Sequence, residues 1–204
     1  MDHLIADPQS YFENLRPRRT ELLKALEQVA EAEAIPIVGP VVGELLHILA
    51  RFGGARRILE LGTATGYSAI YMGTAVREVN GRLVSLENDP GMAARARRNL
   101  LQAHLERWVE VVEGDALKFI ESLSEPFDMV FMDIEKADYI TALPHISRLT
   151  RVGGLLVVDN TRFKDADPFN QAIRNDPHWR WVNLFAFLPR HSPEQDGLCL
   201  ALRV

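Results

Sequence analysis

Asp133, Asp159 and Asn160 form the sharpest chemical set in the chain. Two carboxylates and an amide oxygen are hard ligands, suited to Mg²⁺ or a similar ion with positions left for water and substrate. The plain structural alternative is a turn at Asp159-Asn160 and a helix cap at Asp133. Lys136 follows Asp133 by three residues. A lysine in the first turn of a helix opposes the helix dipole, which favours anions there. Near a metal such a lysine can lose its proton and serve as a general base. Otherwise it is a solvated lysine balanced by Glu135 or Asp138.

Three further acids stand in comparable places. Glu60 precedes a turn reading Gly62-Thr63-Ala64-Thr65-Gly66, whose glycines let backbone approach a ligand closely. Position 64 is Ala, so this is not the G-x-G-x-x-G of dinucleotide binders. Glu87 lies 25 residues beyond Gly62. A carboxylate there can accept both ribose hydroxyls, which indicates an adenosine nucleoside without saying which one. Asp115, after Gly114, reads equally as a helix N-cap and as an adenine contact.

These residues need a scaffold that brings them to one rim. From Arg57 onward, short apolar runs alternate with helical patterns: Arg57–Leu61, Arg82–Glu87, Trp108–Val112, Phe127–Asp133 and Gly153–Asp159. Five such strands with intervening helices predict βαβ units and a parallel sheet covered on both faces. Ligands then bind at the carboxyl ends of the strands. Every one of the five strands delivers an acid or an acid-plus-amide pair there. That much carboxylate at one rim is costly without a cationic ligand or a metal.

The tail, Trp179–Leu188 and Gly197–Val204, predicts a closing antiparallel pair. The first 50 residues read as helical. Asp7-Pro8 looks like a cap, and Leu15, Leu22, Leu26 and Val29 form a stripe. A second helix runs from Pro40 to a stop at Gly53-Gly54. The expected organisation is one domain over 1–204, with 1–52 a helical extension packed on it.

A net charge of −5 gives no global pull toward nucleic acid or anionic membrane. The Arg16, Arg18, Arg19 cluster is a local exception, expected on a helix face. Cys199 is the only cysteine and reads as a small buried apolar residue, so no Cys-based metal cluster is expected. No apolar run reaches the roughly 18 residues of a membrane helix. No signal peptide is evident at Met1-Asp2-His3, and the expected compartment is the cytoplasm.

The stretches Ile58–Ser68, Phe127–Tyr139 and Gly153–Asn160 together resemble the cation-dependent O-methyltransferase family, which includes catechol and caffeoyl-CoA O-methyltransferases. The resemblance runs from about Pro36 to the C-terminus. It implies a doubly wound, Rossmann-like α/β fold with a seven-stranded, mostly parallel sheet whose last strand is antiparallel. It implies S-adenosylmethionine as methyl donor and a small hydroxyl compound, catechol-like or with other vicinal oxygens, as acceptor. It also implies a divalent cation, Mg²⁺ first, with Mn²⁺ or Ca²⁺ as alternatives, and a homodimer.

Residue by residue, Glu60, Gly62, Tyr67 and Ser68 would line the methionine end of the cofactor. Glu87 would hold the ribose, and Gly114, Asp115 and Ala116 would flank the adenine. Thr63, Gly66, Asn88 and Asp133 complete the expected cofactor set. Asp133, Asp159 and Asn160 would bind the metal, and Lys136 would be the base. Phe163 and His191 are the expected acceptor contacts.

The chain departs from its relatives in two places. Asp133-Ile134-Glu135-Lys136 stands where they often read Asp-Ala-Asp-Lys, and Pro189–Gly197 is longer than their usual Pro-x-x-Asp-Gly turn. Three other readings compete: a tRNA hydroxyuridine O-methyltransferase using the arginine cluster on phosphates, an NAD-dependent dehydrogenase, and a non-catalytic nucleoside-binding protein. The missing G-x-G-x-x-G speaks against the second, and the intact Asp133, Lys136, Asp159 and Asn160 speak against the third.

Overall fold

A computed structural model describes residues 3–204. Seven strands, β1 (Arg57–Leu61), β2 (Arg82–Glu87), β3 (Val109–Glu113), β4 (Phe127–Met132), β5 (Thr150–Val158), β6 (Trp179–Phe187) and β7 (Gln195–Arg203), form one sheet in the order β3-β2-β1-β4-β5-β7-β6. The first five run parallel, while β7 is antiparallel to both its neighbours. Strand order reverses between β1 and β4. The expected doubly wound sheet is the one observed.

The parallel strands are apolar because helices cover both of their faces. Ile58, Leu59 and Leu61 of β1 and Val130, Phe131 and Met132 of β4 have no exposed surface. Eight helices surround the sheet among the described residues: α1 (Pro8–Asn14), α2 (Glu21–Glu33), α3 (Gly39–Phe52), α4 (Tyr67–Glu78), α5 (Pro90–Gln102), α6 (Ala116–Ser122), α7 (Tyr139–Leu149) and α8 (Asp167–Asn175). None is long and apolar enough to cross a membrane.

Some sequence boundaries move, for physical reasons. The expected stripe through Leu15 is broken. Asp7 caps α1 by accepting from the Ser10 N–H at 3.1 Å, but that helix ends at Asn14. Pro17 lies in the connection, and Thr20 caps a separate helix through the Leu23 N–H. Leu15 is 57% exposed and belongs to no core.

The arginine cluster therefore sits on that connection and not on a helix face. Arg19 is committed to buried Glu27 at 2.9 Å, and Arg16 lies 3.6 Å from Glu13. Strand β5 begins at Thr150, three residues before the glycines taken as its start. Gly153, at φ +76°, sits in an irregularity where the register against β4 shifts, so the glycines lie within the strand instead of punctuating it.

Register places the chemistry. Met132 of β4 pairs with Val158 of β5, so the next residue on each strand, Asp133 and Asp159, leaves the sheet side by side. The Asp159 N–H still donates to Met132 O at 3.1 Å, and the Asp133 N–H to Leu61 O at 2.8 Å. Leu61 in turn leads into Gly62, at φ +93°.

Candidate active site

A cavity of about 330 Å³ opens at the carboxyl edge of β1, β2, β4 and β5, beside the reversal of strand order. Its wall includes Gly62, Thr63, Tyr67 and Ser68 from the β1–α4 junction, Glu87 and Asn88 after β2, and Gly114, Asp115 and Ala116 after β3. Asp133, Lys136, Asp159 and Asn160 close its other end. Thirteen residues expected from the sequence thus meet in one wall.

The loops are tied together by carboxylates. Glu87 Oε2 accepts the backbone N–H groups of Ala64 at 2.7 Å and Thr63 at 3.3 Å, while Oε1 accepts the Asp89 N–H at 2.9 Å. One side chain thereby holds the β1–α4 loop against the end of β2. Asp115 caps α6, accepting the Leu117 N–H at 2.9 Å, and lines the cavity as well. Thr65, in the same wall, has a buried hydroxyl without a partner among the described residues. An unpaired buried hydroxyl is costly, and a ligand atom would relieve it.

Glu60 lies under the floor and not in the wall. It has no exposed surface and accepts from the hydroxyls of Ser68 and Ser85. Burial pushes its carboxyl up to about 7, against the two serine hydrogen bonds, which lower it. Between the unfolded value near 4.5 and about 7, the folded state keeps a proton that the unfolded chain releases. Stability of the ligand-free protein should therefore fall as pH rises across that window. Glu60→Gln should flatten the fall, measured as melting temperature against pH. An unchanged slope would show that Glu60 does not hold the proton.

At the opposite end, burial and then the charge of Asp159 raise the Asp133 carboxyl to about 6, with Lys136 pulling it down. Lys136 Nζ lies 3.1 Å from Asp133 Oδ1, and 6.0 and 5.9 Å from the ring centroids of Tyr139 and Phe163. It stands on a single 3₁₀ turn, Lys136–Asp138, just before α7. Asn160 sits in the left-handed region at φ +52°. Its Nδ2 donates to Asp196 Oδ2 at 2.6 Å and to Ser192 O at 3.2 Å, which orients the amide and leaves Oδ1 free to accept.

No trio of His, Cys, Asp and Glu forms a metal cluster among the described residues. The amide oxygen supplies the third donor instead. Two neighbouring carboxylates, plus that oriented oxygen, fit a hard divalent cation.

The O-methyltransferase family model matches residues 13–180, most of the chain. The chain belongs to the O-methyltransferase family. It is 40% identical over 165 residues to a catechol O-methyltransferase of Niastella koreensis, a match covering 78% of this chain and 72% of that protein. Its fold superposes with a TM-score of 0.86 on an O-methyltransferase from Bacillus cereus solved with S-adenosylhomocysteine, at 28% identity over 97% of both chains. A second solved relative is an O-methyltransferase from Streptomyces achromogenes involved in tomaymycin synthesis, in complex with S-adenosylmethionine. It gives 0.86 at 30% identity, over 97% of this chain and 96% of that one.

In this O-methyltransferase, four expected residues fall outside the cavity wall. Glu60 lies below it, accepting a hydrogen bond from Ser68. Gly66, at φ +85°, packs against α5, where an added Cβ would meet Ala96 at 3.3 Å. Phe163 is half-exposed beside Lys136. His191, expected to face an acceptor, is instead buried, with Nε2 at 2.8 and 2.9 Å from the two oxygens of Asp159.

Sequence reasoning missed Tyr139, whose hydroxyl donates to Asp159 O at 3.1 Å, and Ser85 and Asp196, which anchor Glu60 and Asn160. Ser85 carried a faint signal, a lone hydroxyl in an otherwise apolar strand. Tyr139 carried none.

Proposed function

We propose that the enzyme transfers the methyl group of S-adenosylmethionine to a hydroxyl of a small acceptor with vicinal oxygens, catechol-like in class, with a divalent cation at Asp133, Asp159 and Asn160. The observation carrying this is the meeting of those three donors and Lys136 at one end of a cavity whose other end holds Glu87. A cofactor spanning the cavity would place its reactive centre at the donor cluster. The match to a catechol O-methyltransferase supports the acceptor class.

In this reading Glu87 accepts the ribose hydroxyls with the lone pairs its backbone partners leave free. Ser68, held by Glu60, and the Gly62 turn shape the methionine end. Lys136 Nζ receives the acceptor proton at a point also within reach of Asp133. S-Adenosylmethionine would supply an electrophilic methyl on a sulfonium, whose sulfur leaves as a neutral thioether. A divalent cation supplies Lewis acidity, which favours the ionised form of the hydroxyl. The chain's share of the rate is largely positioning: holding nucleophile and methyl in line removes a large entropic barrier.

Calorimetry of S-adenosylhomocysteine binding, then of a catechol acceptor with and without Mg²⁺, tests the proposal. Cofactor binding should be unaffected by excess chelator, whereas acceptor binding and turnover should be lost. Turnover that persists in chelator would remove the cation from the scheme. Failure to bind S-adenosylhomocysteine would remove the scheme itself.

A further inference from the structure

We infer that His191, supplied by the loop between β6 and β7, is a positioning residue that sets the Asp159 carboxylate for cation binding. The inference rests on the proposed metal role of Asp159. The two side chains are 1% and 2% exposed, so neither has water to turn toward. His191 Nε2 faces both carboxylate oxygens, at 2.9 and 2.8 Å. Nδ1 faces the Pro193 carbonyl at 2.6 Å, which stops the ring from turning about its own axis. A group held on both edges in this way has one orientation, and it passes that orientation on to Asp159. The Asn160 N–H adds a third restraint, donating to Asp159 Oδ1 at 2.9 Å.

The loop that carries His191 is itself fixed. The Ser192 N–H donates to Ile37 O at 3.2 Å, in the connection between α2 and α3. Gly39 passes so close that a Cβ there would lie 2.8 Å from His191 N. The same loop offers Ser192 O to the Asn160 amide, and Asp196, at the start of β7, accepts from it too. One segment thus sets two of the three proposed donors. This gives the extra length of Pro189–Gly197 a structural purpose. A short turn could place Asp196 but could not carry an imidazole inward to Asp159.

Partners that orient metal ligands contribute roughly 10–100-fold to metal affinity. Mn²⁺ binding to the ligand-free protein, followed by the loss of the free-ion EPR signal, reads this directly without turnover. His191→Ala should weaken Mn²⁺ binding by roughly 10-fold or more. His191→Gln, whose amide N–H reaches the same carboxylate, should recover most of the loss. S-Adenosylhomocysteine affinity, which in this reading draws on Glu87 and the Gly62 turn and not on Asp159, should be unchanged in both.

Mn²⁺ binding to His191→Ala as tight as wild type, or tighter, would overturn the inference while leaving the metal site intact. Wild-type protein that binds no Mn²⁺ would overturn both the inference and the metal reading beneath it. Should His191→Ala lose both ligands through misfolding, His191→Gln decides. Equal weakening of Mn²⁺ and S-adenosylhomocysteine there would mark the role as one of general folding and overturn it.

Discussion

Lys136→Ala should lower kcat/KM for a catechol-type acceptor by about 10²–10⁴-fold, the usual contribution of a positioned general base. S-Adenosylhomocysteine affinity should be unchanged. Lys136 is the one amine in the cavity wall among the described residues. Its reach is narrow, because Asp133 Oδ1 holds Nζ at 3.1 Å while Tyr139 and Phe163 flank it.

Two explanations of such a loss need separating. The ammonium also lowers the proton affinity of Asp133, so its removal could act through charge alone. Lys136→Arg separates them, because a guanidinium keeps the charge but cannot give up its proton near neutral pH. A base role requires the arginine variant to be as slow as the alanine variant. Recovery of rate in Lys136→Arg would leave Lys136 with an electrostatic role only.

Gly62→Ala should be the most damaging single methyl added to the site. A Cβ there would lie 2.0 Å from Asp133 O, and φ of +93° is strained for any side chain. Backbone strain and overlap together should cost about 3–5 kcal/mol, a fall in Tm of roughly 10 °C for a chain of this size. The damage should also reach function twice. The clash pushes the cofactor turn away from β4 and displaces Asp133, so S-adenosylhomocysteine and Mn²⁺ binding should both weaken. Gly66→Ala is the control. It is strained by φ of +85° but meets only Ala96 on α5, so it should destabilise without displacing Asp133. Tm by calorimetry, with both affinities, distinguishes the two variants. Equal metal affinity in Gly62→Ala and wild type would refute the coupling.

The sheet and the strand-end acids were legible because each signal is local. An apolar run ending in Asp or Glu before a helix can be read within ten residues, and parallel register then aligns the ends. Asp133 and Asp159 could be named for that reason, and they emerge as neighbours because Met132 pairs with Val158. What stayed hidden depends on contacts between distant segments. His191 meets Asp159 across 32 positions, and Tyr67 donates to Glu27 across 40. No spacing rule reports such pairs.

Loop 188–194 illustrates the difference. From the sequence the loop is only longer than in relatives, and the reading that suits its histidine is an acceptor contact. Its histidine is buried where the α2–α3 connection packs against the loop, a contact between distant segments. The split between α1 and α2 was missed for a simpler reason. Leu15 kept the helical period although Pro17 and the Thr20 cap had already ended the helix.

Strands β6 and β7 pair without interruption from Trp179↔Arg203 to Phe187↔Gln195, and among the described residues they are the only antiparallel neighbours joined directly by a loop. A hairpin of this kind absorbs insertions at its tip, because the ladder behind it keeps its register whatever the tip length. Doubling a flexible loop costs only about 0.6 kcal/mol in closure entropy. The βαβ connections have no such freedom, since each must return to the same edge with its acid in place. The architecture therefore separates a part whose length can change cheaply from a part whose length cannot, and in this chain the longer tip is pinned to the α2–α3 connection, where its histidine reaches Asp159.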